Sequence, residues 1–186
     1  MSARERVRLG GRSARIQAAV HQAVNDLSAE IDRTELTVPM LAARAGVPPS
    51  TIYRRWGGLP ELLADVAVQR LRPLADPLDT GTLRGDLENW AEQYMEEMSS
   101  PVGLAMMRDV LSTSPDADNA CQCSRYIAEQ LEVIAARARG RGESPPPVDA
   151  MIDGIVAPIM YRILFGAPDA LDAPYCNRLI DGVLGR

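Results

Sequence analysis

The chain has 186 residues, of which 46% are hydrophobic and 24% charged, and its formal net charge is −5. This composition is typical of a globular protein, and no apolar run reaches the length of a membrane span. The first residues are rich in Arg but lack the apolar core of a secretory signal. We therefore expect a cytoplasmic protein with no membrane partner.

Charge is distributed unevenly along the chain. Residues 1–72 contain 11 Arg and 7 acidic residues, whereas residues 73–186 contain 9 Arg and 18 acidic residues. A basic first part followed by an acidic second part indicates that the first part, rather than the whole protein, binds a polyanion. A solvated Arg-rich arm would have the same composition, so charge alone leaves both interpretations open.

The cysteines and the single histidine offer little for metal chemistry. Cys121, Cys123 and Cys176 are an odd number, which is typical of free thiols in a reducing compartment. The only histidine, His21, falls on the apolar stripe of a predicted helix. We expect neither a metal site nor a cofactor.

Apolar residues recur at helical spacing along nearly the whole chain, and the alternation of strands is not found. The pattern predicts an all-α protein of about nine helices. Residues 1–58 are predicted to form an N-terminal arm and a three-helix head, and residues 59–186 a helical body. Residues 72–82 are predicted to be a linker, and residues 139–147 a flexible loop. The predicted helices cover residues 13–27, 38–44, 49–56, 59–71, 82–98, 102–113, 116–139, 148–165 and 173–184.

The stretch LAARAGVPPSTIYRRWGG, residues 41–58, has the pattern of a helix-turn-helix. Ala42 lets two helix axes approach, Gly46 turns the corner, and Ile52 packs underneath. Hydroxyl and guanidinium groups, which bond base edges and phosphates in a major groove, dominate the side that we expect to be exposed. That side carries Pro49, Ser50, Thr51, Tyr53, Arg54 and Arg55. An ordinary helical hairpin is the alternative, but the basic arm favours binding of double-stranded DNA.

The same region, extended to LTVPMLAARAGVPPSTIYRRWGGLPELLADVA, resembles the N-terminal domain of TetR-family transcriptional repressors over residues 12–71. The matching positions are Thr37, Leu41-Ala42, Ala45-Gly46-Val47, Thr51-Ile52-Tyr53-Arg54 and Trp56. The ending IVAPIMYRILFGAPDALDAPYCNRLIDGVLG also looks like the last two helices of that family. The resemblance implies a repressor that binds a palindromic operator as a homodimer and is released by a small-molecule effector.

The resemblance also implies roles for individual residues in DNA binding. Arg12 would anchor the first helix on the DNA backbone, and Thr37 and Tyr53 would hold phosphates. Ser50 and Thr51 would face base edges.

Two arginines and a tryptophan complete this assignment, and two positions depart from the family pattern. Arg54 or Arg55 would contact a base or a phosphate, and Trp56 would be a structural plug between the third and fourth helices. Leu59 stands where the family usually has a basic residue, which removes one phosphate contact. Pro48 replaces the usual polar cap, so we expect apolar base readout at the entrance of the recognition helix.

The first helices of the body are unusually rich in Met and aromatic residues. Met adapts to irregular space, and Tyr and Trp combine an apolar body with a polar tip. With the resemblance, this predicts a small-molecule chamber for a mainly apolar or aromatic compound. The residues predicted to border it are Trp90, Tyr94, Met98, Met106, Met107 and Tyr126. For each residue alone, plain core packing is the other interpretation.

The predicted helix over residues 148–165 is apolar nearly all round, because Arg162 is the only charged residue between Ile155 and Phe165. Such a helix is buried on two sides, and one side can meet a partner subunit. The last helix carries a similar stripe, and the resemblance implies a four-helix dimer interface. The predicted interface residues are Ile152, Ile155, Ile159, Ile163, Leu179, Ile180 and Val183. A central helix of a monomer is the alternative.

Two other functional classes remain open at this point. A helical enzyme needs a nucleophile, a base and an orienting group within reach of one another. The sequence has one His, no Gly-rich phosphate loop and no Glu-x-x-His pair, so we do not expect an enzyme. An interaction module whose helix-turn-helix no longer binds DNA is consistent with Leu59 and the overall acidity.

Overall fold

The computed structural model describes residues 11–113, 118–166 and 171–185. All secondary structure in these ranges is helical, which confirms the all-α prediction. The α-helical segments are α1 (Arg12–Glu30), α2 (Val38–Ala45), α3 (Pro49–Trp56), α4 (Leu59–Leu71), α5 (Leu83–Ser99), α6 (Pro101–Leu111), α7 (Asp118–Gly140), α8 (Val148–Met151), α9 (Ala157–Phe165) and α10 (Ala173–Leu184).

A π-helical segment, Ile152–Val156, joins α8 to α9 without interruption. Within the described ranges the continuous helices therefore number nine, as predicted. The Arg-rich arm at residues 1–10 and the predicted start of α7 at residue 116 lie outside the described residues. In the part of the chain that the structure describes, no helix is long and apolar enough to cross a membrane.

The chain divides into two compact units, one ending at Val66 and the other beginning at Ala67. This division falls within α4, whereas the boundary predicted from the sequence preceded that helix. The reason is that α4 contributes Leu62, Leu63 and Val66 to the core of the first unit. Ala67 and Val68 pack instead in a cluster of the second unit.

The corner between α2 and α3 organises the first unit. Gly46 ends α2 in the left-handed conformation (φ +66°), which residues with a Cβ atom rarely adopt. The backbone N–H groups of Gly46 and Val47 return to the carbonyls of Ala43 and Ala42, respectively. Ala42 and Ile52 are both buried, as their spacing predicted. The corner thus directs the chain from α2 into α3.

The core of the second unit lies between α5, α7, the α8–α9 stretch and α10. Gly154 lies where this stretch approaches α10, and a Cβ atom there would overlap the side chain of Val183. Burial of large aliphatic side chains supplies the main stabilisation. The largest of those with less than 2% exposure are Leu87, Leu131, Ile134, Met151, Ile155, Ile159 and Ile180.

Residues 72–80, which we call the strap, connect α4 to α5. The side chain of Arg137 on α7 donates a 2.6 Å hydrogen bond to the carbonyl of Pro77, which is buried. Gln130, also on α7, donates a 3.4 Å bond to the carbonyl of Ala75. These anchors make the predicted linker a fixed wall of the second unit.

A buried carboxylate fixes the end of the strap. Asp86 has no exposed surface and accepts hydrogen bonds from the backbone N–H (2.6 Å) and hydroxyl (2.7 Å) of Thr80. Arg141 donates a third, at 2.9 Å. Burial raises the pKa of Asp86, but these bonds outweigh it and hold the pKa below its usual range. Arg141 also pairs with Glu143, so the loop predicted to be flexible is anchored at these two residues.

Candidate nucleic-acid interface and effector cavity

The recognition helix α3 presents a polar side to solvent. Pro49, Ser50, Tyr53 and Arg54 are exposed, and 52% of Tyr53 is accessible. Ile52 lies on the opposite side, with no exposed surface. The exposed side therefore offers hydroxyl and guanidinium donors, which are the groups that bond phosphates and base edges.

Thr51 is not part of this exposed side. It is buried, with 8% of its surface accessible, and its predicted exposure is wrong. Successive helical residues are rotated by about 100°, so Thr51 lies on the inward arc beside Ile52, while Ser50 points outward.

Arg55 is half-buried and engaged within the first unit, in contrast to its predicted exposure. Its guanidinium donates a 2.8 Å hydrogen bond to the carbonyl of Ser13 and lies 5.0 Å from the ring centroid of Trp56. These contacts link the beginning of α1 to the end of α3. Arg55 is thus placed to orient the recognition helix.

Three exposed residues extend the polar surface beyond α3. Arg12 and Arg15, on the first turn of α1, border a shallow recess together with Val47. Thr37 is the N-cap residue of α2, as predicted, but its side chain makes no capping hydrogen bond. Sequence reasoning missed Arg15, although its spacing of three from Arg12 places both on one helix face.

A single carboxylate positions the recognition helix against its neighbours in the first unit. Asp65 on α4 accepts hydrogen bonds from Trp56 Nε1 (2.7 Å) and Gln17 (3.4 Å), and its Oδ2 lies 2.8 Å from His21 Nε2. Burial raises the pKa of Asp65, but these partners outweigh it and lower the pKa below its usual range. His21, expected on an apolar stripe, is thus part of a polar contact.

The second unit contains a cavity of about 750 Å³. Sites for small molecules typically have volumes of about 300–1,000 Å³. All the residues predicted to border a chamber line this cavity: Trp90, Tyr94, Met98, Met106, Met107 and Tyr126.

The strap forms another part of the cavity wall, which the sequence did not predict. Residues 72–78 line the cavity, and Leu74 and Leu78 expose most of their side chains there. An irregular segment carries no periodicity that would mark it as a wall. The only signal was two leucines among prolines, where a free linker would be polar.

The cavity is built for binding through shape and apolar contact. The rings of Trp90 and Tyr94 stack with centroids 5.2 Å apart and planes 7° from parallel. Burial raises the pKa of the Tyr94 hydroxyl, with a smaller contribution from nearby Cys123. Burial also raises the pKa of the Cys123 thiol. Both groups therefore stay neutral at physiological pH.

The predicted dimer residues divide into two groups. Four of them are buried in the protomer's own core: Ile155, Ile159, Ile163 and Ile180. The others are only partly buried: Ile152, Leu179 and Val183. Helical periodicity placed these residues on apolar stripes. Because the helix over residues 148–165 is apolar on both sides, the pattern did not indicate which side meets the core.

The outward side of α9 carries large exposed apolar groups. Tyr161 is 66% and Phe165 76% accessible, and their ring centroids lie 5.5 Å apart. Ala157, one turn earlier on the same side, is also exposed. We call Ala157, Tyr161 and Phe165 the α9 aromatic face.

The first unit is a helix-turn-helix with an exposed polar recognition helix, and the second is a helical unit with a cavity. This combination defines a helix-turn-helix regulator. Residues 77–183 match the family "Tetracyclin repressor-like, C-terminal domain". The chain is 38% identical over 158 residues to an uncharacterized HTH-type transcriptional regulator of Mycobacterium tuberculosis, covering 80% of this chain and 76% of that protein. The chain belongs to the TetR family of transcriptional regulators.

Two further comparisons agree with this membership. The HTH-type transcriptional regulator AqdR of Rhodococcus erythropolis is 31% identical over 117 residues, which cover 60% of this chain and 56% of that protein. A TetR transcriptional regulator from Rhodococcus sp. RHA1 shares the fold, with a TM-score of 0.67, 18% identity and coverage of 94% of this chain and 97% of that one. Membership favours a regulator over the helical enzyme and the interaction module.

Proposed function

We propose that this protein is a transcriptional repressor that binds a palindromic operator as a homodimer and is released by a small-molecule effector. The observation that carries this proposal is the outward side of α3, where Ser50, Tyr53 and Arg54 follow the Gly46 corner. The first unit would bind DNA, and the second would bind the effector and the partner subunit. The repressor-like family description supports repression over activation.

The exposed residues divide by position into phosphate contacts and base contacts. Arg12 and Arg15 on α1, Thr37 before α2 and Tyr53 on α3 would hold phosphates, which fix the register of the protein on the duplex.

The base contacts would come from the outward side of α3 itself. Pro49 would make an apolar contact, Ser50 would bond a base edge, and Arg54 would read guanine or hold a phosphate. Thr51 and Arg55 are left to position α3, because the first is buried and the second is bonded to Ser13.

Homodimerisation would cover the α9 aromatic face. Large apolar side chains exposed together on one helix are typical of an interaction surface. The half-buried residues Leu179 and Val183 on α10 remain candidates for the same interface. A twofold dimer would place two recognition helices about 34–36 Å apart, one DNA turn, and would read a palindrome.

Release would follow from coupling between the cavity and the DNA-binding unit. An effector shifts such an equilibrium only by the difference between its affinities for the bound and released states. The helix α4 is continuous from Leu59 to Leu71 and leads directly into the strap, which lines the cavity. This continuity makes α4 the element through which we expect the cavity to influence DNA binding.

The test is selection of DNA fragments from the source genome by the purified protein at moderate salt, followed by sequencing. We expect a short palindrome, and we expect Arg54→Ala to relax the choice at particular bases. Arg108→Ala, which removes an exposed arginine from α6, is the matched control and should leave selection unchanged. Retention without a shared sequence, or equal selection by Arg54→Ala, would contradict the proposal.

A further inference from the structure

Trp90 and Tyr94 line the cavity with two aromatic rings that stack on each other. The two residues are one turn apart on α5, and their rings are nearly parallel, at 7°. Another flat ring can extend such a stack on the outer face of either residue, because offset parallel rings attract one another. The stacked pair therefore favours a planar part of the effector over a branched aliphatic group.

The same two residues carry polar hydrogens without a partner. Neither the indole N–H of Trp90 nor the hydroxyl of Tyr94 is hydrogen-bonded to another residue in the described part of the chain. Trp90 as a whole is only 8% exposed, and Tyr94 is half-buried. The raised pKa of Tyr94 keeps its hydroxyl protonated, hence a donor. Unpaired donors in an apolar site favour a ligand that supplies an acceptor.

Charged side chains lie only at the exposed margin of the cavity. Among its lining residues the charged ones are Arg70, Arg72, Asp76 and Glu97, and all four are exposed. The two signs are equally represented, and Glu97 already accepts a 2.8 Å bond from Gln93. A charged group placed against the inner wall would lose water and gain no ionic partner, which is costly.

From these three observations we propose that the effector is a neutral, planar, mainly apolar molecule with a hydrogen-bond acceptor such as a carbonyl or ether oxygen. Its ring stacks on the outer face of Trp90 or Tyr94, and its acceptor receives a hydrogen bond from one of them. This inference rests on the proposed function, because it assigns the effector role to the cavity.

The inference is tested by equilibrium dialysis of the full-length protein, without DNA, against matched probes. Coumarin and 7,8-benzocoumarin are flat and neutral and carry a carbonyl acceptor, whereas naphthalene and phenanthrene have the same ring sizes and no acceptor. Coumarin-3-carboxylate adds a negative charge. The protein variants are Trp90→Phe and Tyr94→Phe, which keep a ring and remove the donor. Tyr175→Phe, on α10 and outside the cavity lining, is the control.

We expect at least one coumarin to bind, and we expect Trp90→Phe or Tyr94→Phe to weaken it by about two- to tenfold relative to its hydrocarbon counterpart, the loss of one hydrogen bond. Tyr175→Phe should leave the affinity of the coumarin relative to its hydrocarbon counterpart unchanged, and the carboxylate should bind more weakly than coumarin. Circular dichroism of each variant checks that it is folded.

Three results would overturn the inference. The first is that neither Trp90→Phe nor Tyr94→Phe changes the affinity for the coumarin relative to that for its hydrocarbon counterpart. The second is tighter binding of the carboxylate than of coumarin. The third is no binding of either coumarin up to its solubility limit. Because the dialysis contains no DNA, these outcomes are independent of operator selection. A failure of the effector assignment is thus distinguishable from a failure of the proposed repressor function.

Discussion

The indole Nε1 of Trp56 donates a 2.7 Å hydrogen bond to Oδ2 of Asp65, which joins the end of the recognition helix to α4. The same carboxylate oxygen lies 2.8 Å from His21 Nε2 on α1. Three helices of the first unit thus meet at one partly buried charge. Because α3 has only two turns, its orientation depends on such contacts more than on its own helical stability.

Loss of this hydrogen bond should destabilise the first unit. We expect Trp56→Phe to lower the free energy of unfolding by about 1.5–3 kcal/mol, the value of a hydrogen bond to a charged group. Urea unfolding followed by circular dichroism measures the change. A loss of less than about 0.5 kcal/mol would show that the bond to Asp65 contributes nothing.

The contribution of Asp65 should depend on pH. Its pKa is lowered in the folded protein, so its stabilisation is fully present above the unfolded value of about 3.9 and is lost as pH falls through the lower folded pKa. We expect the stability difference between the native protein and Asp65→Asn to shrink as the pH falls below about 4. Urea unfolding between pH 6 and pH 3 measures it, with exposed Asp149→Asn as control. A difference that stays constant with pH would contradict this prediction.

Ser50 and Thr51 are neighbours on α3, but we expect their substitutions to affect operator binding differently. Ser50 is exposed and Thr51 is buried. We expect Ser50→Ala to weaken operator binding by about five- to tenfold, through one lost hydrogen bond, without changing stability. Thr51→Val keeps the shape and removes the hydroxyl, and its operator affinity should stay within about twofold of the native value. Fluorescence anisotropy with operator DNA measures both, and a larger loss for Thr51→Val would show that Thr51 reaches DNA.

Dimerisation should depend on the exposed residues of α9 and not on the buried ones. We expect Phe165→Arg to shift sedimentation equilibrium from dimer to monomer while the protomer stays folded, because Phe165 is 76% exposed in the protomer. Ile159→Ala should instead cost about 2–5 kcal/mol of protomer stability, the usual cost of a core cavity. A dimer that survives Phe165→Arg would place the interface elsewhere.

The strap should depend on Arg141. Removal of this arginine leaves the fully buried Asp86 without its positive partner. We expect Arg141→Ala to destabilise the second unit by about 2–4 kcal/mol, since an uncompensated buried charge is costly. Arg139→Ala, which breaks the exposed pair with Glu132, should cost under about 1 kcal/mol. Urea unfolding compares the two, and similar losses would show that the buried position of Asp86 adds nothing.

Much of the first unit was predictable because its signals are local. The predicted bounds of the recognition helix, 49–56, and of the fourth helix, 59–71, agree with α3 and α4. Proline opens α3, and glycines separate α3 from α4. Proline fixes its own backbone angle and glycine permits a turn that other residues rarely adopt, regardless of the rest of the fold. The six predicted cavity residues came from the Met and aromatic content of the body together with the family resemblance, since such side chains fill irregular space.

The sequence by itself determined the all-α class, the helix-turn-helix and the positions of nearly all helices, because periodicity and turn residues act over a few positions. Only the tertiary structure decided which side of an apolar helix faces the core, as it did for Ile155 against Tyr161. It also decided the pairing of His21 with Asp65, which are 44 residues apart, and the use of the strap as a cavity wall. Such contacts depend on how distant segments pack together, and a period of 3.6 residues carries no information about distant segments.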